Sequence, residues 1–112
     1  MNWENLSSIE QAKELIASSV SKPVVFFKHS TRCSISSSSL ARVERQWKSD
    51  LDSKFRFVFL DLIKHRDVSN FLAEKLNVEH QSPQMILVKN NQAVFDSSHN
   101  AITLTDLEEQ LA

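Results

Sequence analysis

The amino-acid sequence predicts an α/β fold with a four-stranded mixed sheet and helices on both faces. Two short apolar runs lack polar alternation, which is typical of strands buried on both sides. A helical pattern separates the two runs, so we expect them to be parallel neighbours joined by a crossover helix. A further helix and a hairpin pattern follow. A chain of 112 residues has room for one domain, residues 1–112.

The first helix and the first strand have clear signals. Apolar residues at three- and four-residue steps predict an amphipathic helix from Leu6 to Val20, with Ser7 and Glu10 as its capping box. A proline then breaks the pattern. The run Val24–His29 is rich in β-branched and aromatic residues and predicts a central strand.

The middle of the chain repeats this order. A second helical pattern predicts a long helix near Ser34 to Asp50, and Phe55–Leu62 predicts the second central strand. A third helix, marked by apolar residues from Val68 to Leu76, is expected to stop at Asn77. Asparagine tolerates the left-handed conformation that often ends a helix, and this chain has no glycine to use there.

The last third of the chain predicts a hairpin and a short helix. The segments Met85–Val88 and Ala93–Phe95 flank an Asn-Asn pair, which can take the positive φ angles of a tight turn. Thr105 and Glu108 form a second capping box before Leu107 and Leu111, which predicts a short closing helix.

Composition excludes several classes of function. The chain has 0 Gly, which argues against phosphate-binding and dinucleotide-binding loops, and its formal net charge of −1 argues against nucleic acid as a partner. The apolar runs are too short to span a membrane. No metal site is predicted, because the spacings of His29, His65, His80 and His99 match no common zinc pattern. One cysteine and no signal-peptide pattern predict a cytoplasmic protein. The short apolar runs predict that it is soluble, and we expect a monomer or weak dimer.

Cys33 is the single cysteine, and it stands where the first central strand gives way to the long helix. The first N–H groups and the positive end of the helix dipole point at this position, and both favour a thiolate. We expect Arg32, Lys28 and a hydrogen bond from Ser34 or Ser36 to stabilise the thiolate further. A lone cysteine is more often a buried, unreactive side chain, but this position favours a nucleophile.

A Ser82–Pro83 pair stands directly before the hairpin. Proline cannot donate a hydrogen bond to a sheet, so a proline here marks a sheet edge, a turn or a cis peptide bond. An ordinary turn proline is the simplest interpretation of the pair by itself.

Together these features resemble the thioredoxin-like superfamily over nearly the whole chain. The segment Thr31–Ser36, with the sequence Thr-Arg-Cys-Ser-Ile-Ser, is similar to that of the monothiol bacilliredoxins, the YtxJ-type proteins of the bacillithiol system. The resemblance implies that Cys33 takes bacillithiol from a protein mixed disulfide and that an external thiol then resolves it. It also implies a cis Pro83 that faces Cys33, with the Ser82 backbone free to pair with a substrate strand.

The resemblance therefore predicts a thiol–disulfide oxidoreductase with bacillithiol as co-substrate and without metal or nucleotide. Its partners would be bacillithiolated client proteins and small thiols. The candidate catalytic residues are Cys33, Arg32, Ser34 and Ser36, and the candidate substrate-binding residues are Thr31, Ser82 and Pro83.

Two alternatives remain open at this level. One is a thioredoxin-like interaction module with a buried, unreactive Cys33, and the other is a monothiol glutaredoxin-like iron–sulfur carrier. Polar residues also follow the strands: His29 is either a base or an ordinary strand-terminal side chain, and Asp61 is expected to be a capped or partly exposed strand end. Lys64, His65 and Arg66 form either a solvated loop or part of a binding site.

Overall fold

The structure, a computed structural model, describes residues 1–111, with the backbone alone for Leu111. The strands are β1 (Glu4–Asn5), β2 (Val24–His29), β3 (Arg56–Asp61), β4 (Gln84–Lys89) and β5 (Gln92–Ser98). The helices are α1 (Ile9–Ser18), α2 (Ser34–Gln46), α3 (Leu51–Lys54), α4 (Arg66–Leu76) and α5 (Leu104–Leu111). A 3-10 turn, His99–Ala101, joins β5 to the last helix.

The strands form one mixed sheet in the order β1-β3-β2-β4-β5. β1, β2 and β3 are parallel, whereas β4 runs antiparallel to β2 and β5 antiparallel to β4. The predicted α/β class is therefore confirmed, but the predicted count of four strands is wrong, because residues 1–111 contain five. The added strand is Glu4–Asn5, which pairs with β3. Two polar residues before a helix give no strand signal in the sequence.

The sheet separates two apolar cores, one beneath α1 and α4 and the other beneath α2 and α5. Phe26 belongs to the first core and Phe27 to the second, and both are fully buried. Neighbouring strand residues point to opposite faces, so a strand covered on both sides is apolar at most positions rather than at alternate ones. This arrangement explains the unalternating run in β2, where each buried phenylalanine contributes roughly 1.5–3 kcal/mol.

Several predicted helix ends shift by one to four residues. Ser8, not Ser7, caps α1, since its hydroxyl accepts a hydrogen bond from the Gln11 N–H. The long helix α2 ends at Gln46 rather than Asp50. The Gln46 side-chain oxygen instead accepts a hydrogen bond from the Leu104 N–H at the start of α5.

No helix within residues 1–111 is long and apolar enough to cross a membrane.

The closing helix begins earlier than its sequence signal. α5 starts at Leu104, and the hydroxyl of Thr103, not that of Thr105, accepts a hydrogen bond from a first-turn N–H. The side chain of Leu111 lies outside the described ones, whereas Leu107 is buried. The turn predictions are confirmed: Asn77 ends α4 at φ 54°, and Asn90 and Asn91 turn the hairpin at φ 51° and 68°.

Candidate functional site

Cys33 lies at the mouth of α2, as predicted. It is the N-cap residue, with extended backbone angles, and its carbonyl accepts the Ser37 N–H, the first hydrogen bond of the helix. Its own N–H donates to the Ser30 carbonyl at 3.2 Å, which closes a tight turn after β2. The side chain is partly exposed and, among the described residues, makes no capping hydrogen bond. The thiol is therefore accessible beside the free N–H groups of the first helical turn.

Ser36 is fully buried one helical turn after the N-cap. Its hydroxyl oxygen accepts a hydrogen bond from the Ser30 N–H at 3.0 Å and lies 2.8 Å from His29 Nδ1. These contacts hold the turn between β2 and α2. Within residues 1–111 neither Ser34 nor Ser36 hydrogen-bonds the Cys33 sulfur, so Ser36 shapes the turn instead.

His29 ends β2 and fills the space beneath this turn. Its ring lies 5.4 Å from the Phe59 ring and 6.4 Å from the Phe27 ring, centroid to centroid. Burial lowers the pKa of His29, although the charges of Asp61 and Glu44 oppose that effect. A neutral, packed imidazole bonded to Ser36 supports the turn that carries Cys33.

Lys28 points away from the thiol, contrary to expectation. Its Nζ lies 3.3 Å from the Ser69 carbonyl oxygen and 3.3 Å from His80 Nδ1, which places it in the core beneath α4. Arg32, Thr31 and Ser34 are exposed around Cys33. Arg32 makes no salt bridge within residues 1–111, so its charge is available to an anionic ligand.

Pro83 lies at the same end of the sheet as Cys33. The Ser82–Pro83 peptide bond is cis, as predicted. Lys28 pairs with Gln84, so Pro83 lies beside His29, which in turn pairs with Asp61 of β3. We call the end of the sheet formed by His29, Asp61 and Pro83 the thiol end.

Ser82 has unsatisfied polar groups at the thiol end. Its hydroxyl is buried without a hydrogen-bond partner, and its backbone N–H and carbonyl have no partner among residues 1–111. The Pro83 carbonyl, by contrast, accepts from the His99 N–H at 3.0 Å. The free backbone groups of Ser82 are those that an added extended peptide would need.

Comparison with known proteins identifies the family. Residues 4–107 match the family described as monothiol bacilliredoxin BrxC. The chain belongs to the monothiol bacilliredoxin family. Family membership and fold together make this bacilliredoxin a thiol–disulfide redox protein.

Solved structures share the fold of this bacilliredoxin. A proposed oxidoreductase with a thioredoxin fold is 29% identical, with a TM-score of 0.81 over 96% of this chain and 92% of that one. Malassezia sympodialis thioredoxin is 17% identical, with a TM-score of 0.75 over 98% and 88%. Mitochondrial thioredoxin 3 of Saccharomyces cerevisiae is 18% identical, with a TM-score of 0.70 over 96% and 92%. The thioredoxin-like fold is thereby confirmed.

The polar residues that follow β3 in the bacilliredoxin lie near the thiol end. Asp61 is half-buried and accepts a hydrogen bond from the Lys64 N–H at 3.2 Å, so it is a capped strand end, as expected. Lys64 and His65 line a cleft with Asp61. Among the described residues, no group of three or more His, Cys, Asp or Glu side chains could hold a metal ion. In the sequence, the only indication of the contact between Ser36 and His29 is that His29, a polar residue, ends an apolar strand.

Proposed function

We propose that Cys33 removes bacillithiol from mixed disulfides in which a client cysteine carries this small thiol. The Cys33 thiolate attacks the bacillithiol sulfur, the client–bacillithiol bond breaks, and a Cys33–bacillithiol bond forms. The client sulfur leaves as a thiolate and takes up a proton. The client is thus reduced and Cys33 oxidised, with bacillithiol as co-substrate and without metal or nucleotide.

The observation that carries this proposal is a partly exposed lone thiol at the N-cap of α2. Serine stands at position 36, so Cys33 has no neighbouring thiol with which to close an internal disulfide. A second, external thiolate must therefore attack the bacillithiol sulfur, which frees Cys33 and leaves that thiol joined to bacillithiol.

Client recognition is proposed to use Ser82 and Pro83. An extended client segment would pair with the free backbone groups of Ser82, a mode that tolerates many side-chain sequences. Thr31 and Ser34 flank the reacting sulfur, and the Arg32 guanidinium attracts the anionic small thiol. This arrangement suits the removal of the same small adduct, bacillithiol, from many different client proteins.

A transfer experiment tests the proposal directly. A single-cysteine client carrying bacillithiol is mixed with the reduced protein or with Cys33→Ser, and intact masses are recorded over time. We expect the adduct to move to Cys33 in a one-to-one ratio and to stay on the client with Cys33→Ser. An adduct that stays on the client with the unmodified protein would contradict the proposal, as would equally fast removal of glutathione.

Arg32 gives a matched pair of variants. Arg32→Gln should slow bacillithiol uptake roughly two- to fivefold, the effect of one exposed charge. Arg45→Gln removes the same charge at the exposed far end of α2 and should leave the rate unchanged. Equal rates for all three proteins would exclude Arg32 from ligand attraction.

The partial exposure of Cys33 argues against a redox-inactive interaction module, which requires an enclosed thiol. We further propose that the protein acts in the cytoplasm as a monomer or weak dimer. A functional free thiol suits a reducing compartment.

A further inference from the structure

A cleft of about 410 Å³ opens at the thiol end, between the end of β1 and the loop after β3. Phe59 and Leu6 supply apolar wall, while Asp61, Lys64, His65 and Asn5 supply charge and hydrogen-bonding groups. The mixture of one carboxylate, one ammonium and one imidazole differs from the cleft between α1 and α4, whose lining is more apolar. The polar cleft suits a small hydrophilic molecule.

His29 connects this cleft to the thiol. Its ring contacts Phe59 of the cleft wall, and its carbonyl accepts the Leu62 N–H at 3.0 Å. On its other side Nδ1 contacts Ser36, in the first turn of α2, the helix that Cys33 caps. β2 and β3 are adjacent strands, ~4.8 Å apart, and Cys33 lies four residues beyond the end of β2, so a small molecule attached to Cys33 can extend over the end of β3 toward the cleft.

Lys64 places a cationic side chain at the cleft. Its backbone N–H is held by Asp61, which fixes the loop, while its side chain is exposed and makes no salt bridge within residues 1–111. The ammonium group is therefore available to a ligand carboxylate. Asp61 in the same cleft can accept hydrogen bonds from ligand hydroxyl or amino groups.

We propose that this cleft binds the part of the small thiol remote from its sulfur, and that it selects a thiol bearing hydroxyl and carboxylate groups. The inference rests on the proposed function, because it concerns the adduct that Cys33 accepts. Binding in the cleft would orient the disulfide for attack by Cys33. The small-thiol sulfur would bond to Cys33, and the other sulfur of the disulfide would leave as a thiolate.

The test uses three symmetrical disulfides: those of bacillithiol, glutathione and uncharged 2-hydroxyethanethiol. Second-order rates of adduct formation on the reduced protein are measured by rapid acid quench and mass spectrometry. Lys64→Gln should slow the bacillithiol disulfide about tenfold, the loss of one charge-assisted contact, and leave the uncharged disulfide unchanged. Lys64→Arg keeps the charge and should retain most of the rate.

Lys75→Gln is the matched control, because it removes an exposed charge from the far end of α4. Equal slowing of all three disulfides by Lys64→Gln, or no slowing of any, would overturn the cleft proposal. A protein that takes bacillithiol from a client at the same rate with and without Lys64 would overturn the cleft but keep the proposed function. A protein that reacts with the bacillithiol disulfide in a Lys64-dependent manner but leaves bacillithiol on the client protein would keep the cleft and overturn the proposed function.

A binding measurement gives a readout besides exchange. Reduced bacillithiol is titrated into Cys33→Ser protein, and backbone amide resonances are followed by NMR. We expect shifts at Asn5, Lys64 and His65 that disappear with Lys64→Gln. Shifts confined to other parts of the chain would overturn the cleft assignment.

Discussion

Lys28 is a fully buried lysine in the core beneath α4. Its Nζ contacts the Ser69 carbonyl and His80 Nδ1, and no carboxylate forms a salt bridge with it in the described chain. Burial lowers the pKa of Lys28 from 10.5 to about 8. Since burial penalises the charged form, we predict that this ammonium group destabilises the folded protein at neutral pH.

The size of this destabilisation follows from the linkage between proton binding and folding. Each pKa unit corresponds to about 1.4 kcal/mol, so the interval from 10.5 to about 8 corresponds to about 3 kcal/mol. Between these two pH values the unfolded chain binds more protons than the folded one, so stability rises with pH across this interval. Lys28→Met keeps the volume and removes the charge. After the lost hydrogen bonds are subtracted, it should stabilise the protein by about 1–2 kcal/mol at pH 7.

The assay is urea unfolding at several pH values from 6.5 to 10. The advantage of Lys28→Met should be largest below pH 8 and should shrink steadily toward pH 10. Lys75→Met, at an exposed position on α4, should differ from the parent by an amount that does not depend on pH. A Lys28→Met protein that is less stable than the parent at pH 7, or an advantage independent of pH, would refute the reasoning.

Three further predictions concern local contacts. Ser36→Ala leaves the Ser30 N–H and His29 Nδ1 without their partner and should cost about 2 kcal/mol in urea unfolding, whereas exposed Ser37→Ala should cost less than about 0.5. Burial lowers the pKa of His29, so folding stability should fall as pH drops below 6.5, and His29→Gln should flatten that slope. Asn77→Ala should lower the melting temperature, at a cost of about 1 kcal/mol, because alanine tolerates φ 54° poorly; Asn77→Gly should not.

Most of the fold could be predicted because its signals are local. The apolar run of β2, the helical spacing in α2 and the asparagines at the turns depend on neighbouring residues, and their elements were found. The predicted ends of the helices were less accurate, because side chains far away in the sequence help to determine where a helix begins or ends. The Gln46 side chain, for example, caps α5 across 58 residues of sequence.

The candidate site was predictable only in part. The place of Cys33 follows from one strand and one helix start, both visible in the sequence. The contact of Ser36 with His29 and the inward direction of Lys28 depend on which sheet face each residue occupies and on what covers that face. The cleft beside Lys64 requires the pairing of β1 with β3, and a strand of two residues leaves no detectable pattern.

Serine at position 36 also bears on the lifetime of the oxidised form that we propose. With no neighbouring sulfur to displace the adduct, the proposed Cys33–bacillithiol form would persist until a separate thiol reacts with it. Its steady-state fraction would then depend on the ratio of oxidised to reduced small thiol around it. Under the proposed function, the protein would thus report that ratio as well as reduce its clients.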